Sequence, residues 1–343
     1  MKKVYYLLSL LILPFLSGAQ DIHWSQFNDN PLFQNPGNAG NFKGDVRFVG
    51  NYRDQWRRVT VPFSTINATV DAKLLKHKAL SGGLMLFHDA VGDGKFRTTE
   101  VQANISYLLK LSSDSVHTLR SGINLGMNHR QLVFNNFYFD NQYDGIQFNP
   151  GLPTGEYLTS DKKTNFSIGV GAVYRYHRDK RFNFSAGVGL FNLNKPNQGF
   201  YNDVIRRDIR VNIFGEGLFK VHFDWDILPT ISLSVQGKKG EGAKGIGLYR
   251  ENIIGARAKY TLVNRLGEYR ALYGGLFYRN RDAAYISVGM DYQSLFVGIS
   301  YDINFSKLVP ASNARGGIEF AVRYILNRFK PKKIIHRICP DYI

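Results

Sequence analysis

Three glycines, Gly240, Gly242 and Gly245, stand at G-x-G-x-x-G spacing inside GKKGEGAKG. That pattern can cradle a phosphate where a strand hands over to the N-terminus of a helix. Here both flanks alternate like strands, so the stretch reads as a flexible hairpin loop. Lys238, Lys239 and Lys244 then form a solvated basic tip or a contact for lipid headgroup phosphates. The eight histidines, at 23, 77, 88, 117, 129, 177, 222 and 336, include no pair at a strong metal spacing. His336 and Cys339 lack the two further ligands that a zinc site requires. No G-x-S-x-G elbow marks a hydrolase, which leaves only a Ser-His-acid set assembled from separate strands as a route to an enzyme. No enzymatic activity, cofactor or metal is expected. Asn-Phe-Ser at Asn165, Asn183 and Asn304 matches the glycosylation sequon, but each lies on an alternating run where chance is the simpler account.

The elements that carry these residues are constrained first by the N-terminus. Lys2 and Lys3 precede an apolar run from Val4 to Leu16 and then Ser17-Gly18-Ala19, the three parts of a secretory signal peptide. The run is too short for a transmembrane helix, which needs about 20 apolar residues. Residues 1–19 are therefore expected to be removed, with export by the general secretory route. No cysteine follows the cleavage site, which argues against a lipoprotein, and the lone Cys339 cannot form an internal disulfide. The formal net charge of +17 suits anionic lipid, an acidic protein partner or an anion-favouring pore wall. Nucleic acid is not an expected partner of an exported chain.

With 20 Tyr, 25 Phe and 34 Gly among 343 residues, aromatics and glycine are both abundant, yet mean hydropathy is −0.24. A transmembrane barrel reconciles these values, because its lipid face is mixed residue for residue with polar positions. Val297, Ile299, Tyr301, Ile303 and Phe305 alternate with Gly298, Ser300, Asp302 and Asn304, and Ile318, Phe320, Val322 and Tyr324 with Glu319, Ala321 and Arg323. The same period recurs at 45–53, 63–74, 82–90, 98–110, 117–130, 165–177, 182–193, 206–220, 225–238, 251–262, 270–280, 283–291, 294–304 and 314–326, with Pro229 interrupting one run. Most of these runs reach the roughly 9–11 residues that a tilted strand needs to cross a bilayer, whereas soluble strands average about 5–6.

The expected fold is all-β, a transmembrane antiparallel β-barrel of about 14 strands over residues 45–326. Closure would remove the sheet edges. An Arg facing lipid at the midplane costs about 2–4 kcal/mol, so Arg323 is placed inward with Asp302, Asn304 and Glu319, in a wet lumen where such charges need no buried partner. The alternative is a soluble β-sandwich or propeller. Residues 20–44 carry Trp24, Phe27 and Phe33 beside several asparagines, and Pro31 and Pro36 prevent a continuous helix. They would serve as a lumen plug or a periplasmic lid. Loops 131–164 and 194–205 are long, and the basic tail 327–343 is either solvated in the periplasm or a docking peptide.

Short motifs in a specific order make the chain resemble the PorP/SprF membrane proteins of the type IX secretion system over essentially all of its mature length. They are Ser25-Gln26-Phe27, Asn35-Pro36, Ala39-Gly40, Asn51-Tyr52-Arg53-Asp54-Gln55-Trp56, Pro62 to Thr65, and Asp71. Leu193-Asn194-Lys195-Pro196-Asn197-Gln198, Ser300 to Ser306 with Asp302, Ala311-Ser312, Gly316-Gly317-Ile318-Glu319 and Cys339-Pro340 continue the series. The chain departs from the family pattern at Gly37-Asn38, which argues against tight packing of that turn, and at Asp54, where Asn is usual. The resemblance implies a non-enzymatic outer-membrane barrel of a Gram-negative cell, supporting export or surface attachment of large adhesins with a type IX C-terminal sorting domain. Gliding motility and periplasmic or outer-membrane type IX components as partners belong to the same implication. The motif residues are the candidate contact positions, with loops 131–164 and 194–205 facing the client and 23–40 plus the tail facing the periplasmic side. A passive porin or small-solute transporter is the competing reading.

Overall fold

The structure, a computed structural model, describes residues 22–327 apart from 56, 58–60, 75–78, 93–95, 134–136, 156–160, 180, 201–203, 238–247, 266 and 307–308. The signal segment, Trp56, the glycine motif at 240–245 and the tail beyond 327 thus lie outside the described residues.

Alternation over lengths that span a bilayer becomes strand in every expected place: β1 (Val46–Gln55), β2 (Phe63–Lys73), β3 (Leu80–Val91), β4 (Phe96–Lys110), β5 (His117–Gln131), β6 (Lys162–His177), β7 (Phe182–Phe191), β8 (Arg210–Lys220), β9 (Trp225–Gln236), β10 (Tyr249–Arg265), β11 (Glu268–Arg279), β12 (Ala283–Tyr292), β13 (Leu295–Asn304) and β14 (Arg315–Leu326). Each strand pairs with its sequence neighbours, and β1 closes the ring on β14, with Val46 opposite Leu326 and Asp54 opposite Ile318. The result is a closed, antiparallel, 14-strand outer-membrane barrel with no free edge. The soluble sandwich and propeller readings are set aside.

One boundary differs instructively from expectation, and one run holds despite its proline. β8 begins at Arg210 rather than 206, because Arg206 pairs with Asn197 in an isolated bridge of the β7–β8 loop. β9 runs straight through Pro229. Pro229 is paired with Ala256 of β10, while the ladder to β8 skips Gly217 and Leu218, where a missing N–H would fall.

The two sides of the wall are chemically opposite. On β13, Val297, Ile299, Tyr301 and Ile303 are exposed outward, whereas Phe296, Ser300 and Asp302 are at most 3% exposed. Aromatic pairs ring the outer surface near both ends, Trp225–Tyr260 and Phe182–Phe219 at one and Tyr278–Phe305 at the other, as membrane interfaces favour. The links at the end shared with the start of β1 and the close of β14 are short, such as 111–116, 221–224 and 293–294, while those at the other end include 132–161 and 192–209. Short turns face the periplasm in such barrels and long loops face outward.

Candidate functional site

Residues 22–44 lie against the inward-facing side chains. They comprise a 3-10 turn (Phe27–Asp29), a one-turn helix α1 (Pro31–Gln34) and a second 3-10 turn (Pro36–Asn38). Pro31 and Pro36 each open a turn at a position whose N–H would be unsatisfied anyway. Trp24, Leu32 and Ala39 are fully buried, and Trp24 and Phe27 pack with Phe87, Ile253, Phe277 and Tyr285.

Near the loop end, Glu319 accepts the backbone N–H groups of Ser25 and Gln26, both at 2.8 Å, while the Gln26 amide donates to the Glu319 carbonyl at 2.9 Å. The Ser25 hydroxyl donates to Asp302 at 2.7 Å and accepts from Arg53 (2.9 Å) and Arg279 (2.7 Å). Arg53 bridges Asp302 (3.1 Å) and Glu319 (3.3 Å), and Arg279 joins Asp302 (3.1 Å) to Asp282 (2.9 Å). His23 Nε2 stands 3.1 Å from Arg53 and 3.2 Å from Arg279. Guanidinium groups can only donate, so this nitrogen accepts and the ring is neutral. Burial, then the charges of Arg53 and Arg279, hold the imidazole well below its ordinary pKa. In mid-barrel Asp29 accepts from Arg257 (2.8 Å) and Arg323 (3.3 Å).

Near the turn end, Asp71 receives a bidentate bond from Arg47 (2.9 and 2.8 Å) and the Gly40 N–H (2.7 Å). Ser106 donates to the Ala39 carbonyl at 2.6 Å, and Asn35 caps the turn by accepting from Gly37 N–H at 2.8 Å. Adjacent strands offer inward glycines as a trough: a Cβ at Gly122 would stand 2.5 Å from Pro36 backbone, and one at Gly171 2.2 Å from Asn35 Oδ1. Gly40 adopts a φ of +70°, open to glycine at little cost.

Several expectations are corrected here. The inward charges do not stand in open water: Asp302 and Glu319 are at most 2% exposed and are fully paired, because the lumen at that level is filled by chain. The turn at Gly37 is tightly packed, since a Cβ there would meet the Arg120 carbonyl oxygen at 2.7 Å. Gln26, Arg53, Asp302 and Glu319 meet near the loop end, Gly40 and Asp71 near the turn end, and Asn35 and Pro36 lie over Gly171 and Gly122, so the segment expected as plug or lid makes its contacts inside the barrel.

The remaining motif positions scatter. Tyr52 points outward beside Phe320. Gln55 lines a cavity at the loop end. Asp54 pairs with Arg57. Gly316 and Gly317 allow close approach to the Asp302 and Asp54 carbonyls. Lys195, Pro196, Asn197 and Gln198 lie in the outer β7–β8 loop, where Arg207 N–H donates to the Pro196 carbonyl (2.9 Å) and Gln198 accepts from Arg130 at 2.7 Å. In the β5–β6 loop Tyr143 bridges Phe148 and presents Ile146, 89% exposed, at the tip. Sequence reasoning missed Arg279, Arg47, Asp29 and Arg257. The available signal was strand parity, which places each of these arginines on the inward register.

This arrangement binds a segment of its own chain. Residues 16–324 match the family described as type IX secretion system membrane protein PorP/SprF. No curated protein matches. Among solved structures the chain is similar to the toluene transporter TbuX of Ralstonia pickettii, at 10% identity and TM-score 0.52 over 91% of this chain and 96% of that one. It is also similar to a deltaS2 mutant of the monoaromatic hydrocarbon channel TodX, at 9% and 0.51 over 88% and 94%, and to the monoaromatic hydrocarbon channel CymD, at 8% and 0.50 over 91% and 95%. At these identities the likeness is one of fold.

Proposed function

Because the chain belongs to the PorP/SprF family of type IX secretion system membrane proteins, we propose that it is a non-enzymatic barrel supporting export or surface attachment of large adhesins that carry the system's C-terminal sorting domain. One observation carries the choice over a passive porin: residues 24–40 occupy the lumen and are held by buried charges, Arg53, Arg279, Asp302 and Glu319 at one end and Arg47 and Asp71 at the other. A passive porin for polar solutes needs a continuous wet path, and chain filling the lumen at that level obstructs it. In this reading the signal segment 1–19 directs export, loops 131–164 and 194–205 meet the adhesin, and the tail 327–343 meets periplasmic components.

The test is mild-detergent purification of tagged protein from its own membranes, with identification of what accompanies it, alongside conductance in planar bilayers. A large surface protein bearing the sorting domain and negligible conductance are expected. A steady anion-selective current with no secretion component in the eluate would replace this reading with the porin.

A further inference from the structure

Above the seated segment, at the loop end of the barrel, lies a cavity of about 270 Å³. The strand register sets Phe96 of β4 opposite Val91 of β3, and Phe63 of β2 immediately precedes Ser64, which pairs with Ala90 of β3; both rings line the cavity. Phe87 shares the inward face of β3 with Val91, and Met85 lines the same space. Among these apolar walls Asp89 is only 6% exposed. One of its oxygens accepts from the Thr65 hydroxyl at 2.7 Å, and among the described residues no cation is paired with it. The cations that share the cavity are engaged elsewhere. Arg207 is held by Glu100 at 3.1 Å, Arg210 lies between the Phe33 and Phe191 rings at 4.2 and 4.4 Å, and Arg130 stands over Phe96 at 4.7 Å with a bond to Gln198. Neutral His23 completes the floor.

A carboxylate taken out of water without a counter-charge is unfavourable unless something from outside supplies one. Aromatic faces around it favour the same kind of visitor, since their quadrupoles attract cations. We propose that this cavity binds a small organic ammonium ion, its N–H groups donating to the second Asp89 oxygen and its apolar body resting against Phe63, Phe87 and Phe96. The proposal does not rest on the secretion role.

The experiment titrates the full chain in detergent with benzylammonium and with its neutral counterpart benzyl alcohol, read by calorimetry or saturation-transfer NMR. Benzylammonium is expected to bind saturably and more tightly than the alcohol. Asp89→Asn, which retains shape and the Thr65 contact, is expected to weaken the ammonium by roughly ten-fold or more while leaving the alcohol unchanged. Phe63→Leu serves as a second variant, removing a ring face but no charge, and is expected to weaken benzylammonium and benzyl alcohol alike by several-fold, about what one aromatic–aromatic contact contributes. Equal binding of the two probes, no binding of either, or an Asp89→Asn protein that holds benzylammonium as tightly as the parent would overturn the proposal.

Discussion

Arg53 shows how much one side chain can organise when burial leaves it no solvent. It is 1% exposed and bonds Ser25, Asp302 and Glu319 at once. Removing one partner from a buried charged set costs about 3–5 kcal/mol, because the carboxylates left behind remain dry. Arg53→Gln should therefore lower the urea midpoint of the refolded barrel and expose residues 22–44 to added protease; an unchanged midpoint with full protection would count against the network. His23 makes a pH-dependent contribution at the same place. Its folded pKa is depressed below 6.5 by burial and by Arg53 and Arg279, so a released segment takes up the proton first. The stability of the neutral seat is then fully present above about pH 6.5 and is lost as pH falls toward the depressed folded value. Protease sensitivity of residues 22–44 should rise on acidification in the parent and respond less in His23→Gln.

At the scale of elements, the wall and the segment are fitted to each other through missing side chains. Gly122 and Gly171 leave a shallow trough for Asn35-Pro36-Gly37, and a β-carbon at Gly171 would collide with Asn35 Oδ1. Gly171→Val should displace the segment at an overpacking cost of about 1–3 kcal/mol, while the barrel keeps its heat-dependent gel mobility. Protease cutting within 22–44, together with a rise in bilayer conductance, is the expected pair of signals. The strands themselves were readable because period-two patterning is local. The trough was not, since glycine on an alternating run says only that the position is small, and nothing nearby in the chain says what lies over it.

For the whole molecule, closure is the fact on which lipid exposure rests. Ile299 faces outward and Ser300, its neighbour, is 1% exposed inside. Ile299→Arg should cost about 2–4 kcal/mol if it sits near the bilayer midplane, measured as a lowered urea midpoint in lipid vesicles, whereas Ile299→Leu should have little effect. A null result for the arginine variant would mean that this face does not meet hydrocarbon. Closure also creates the interior: β1 meets β14 only because the ring is complete, and that contact brings Arg53 beside Glu319.

Alternation, strand length and the placement of Arg323 on the inward side could be read directly, because a strand turns successive side chains to opposite faces whatever its neighbours are. The family resemblance likewise rested on short words in order. Which inward residues meet was decided only in three dimensions. Ser25, Arg53, Arg279, Asp302 and Glu319 come from the N-terminal segment, β1, β11, β13 and β14, and only a closed ring with a segment folded into it makes them neighbours. The same folding expels water from the lumen at that level, turning charges that would have been solvated into partners that hold the segment in place.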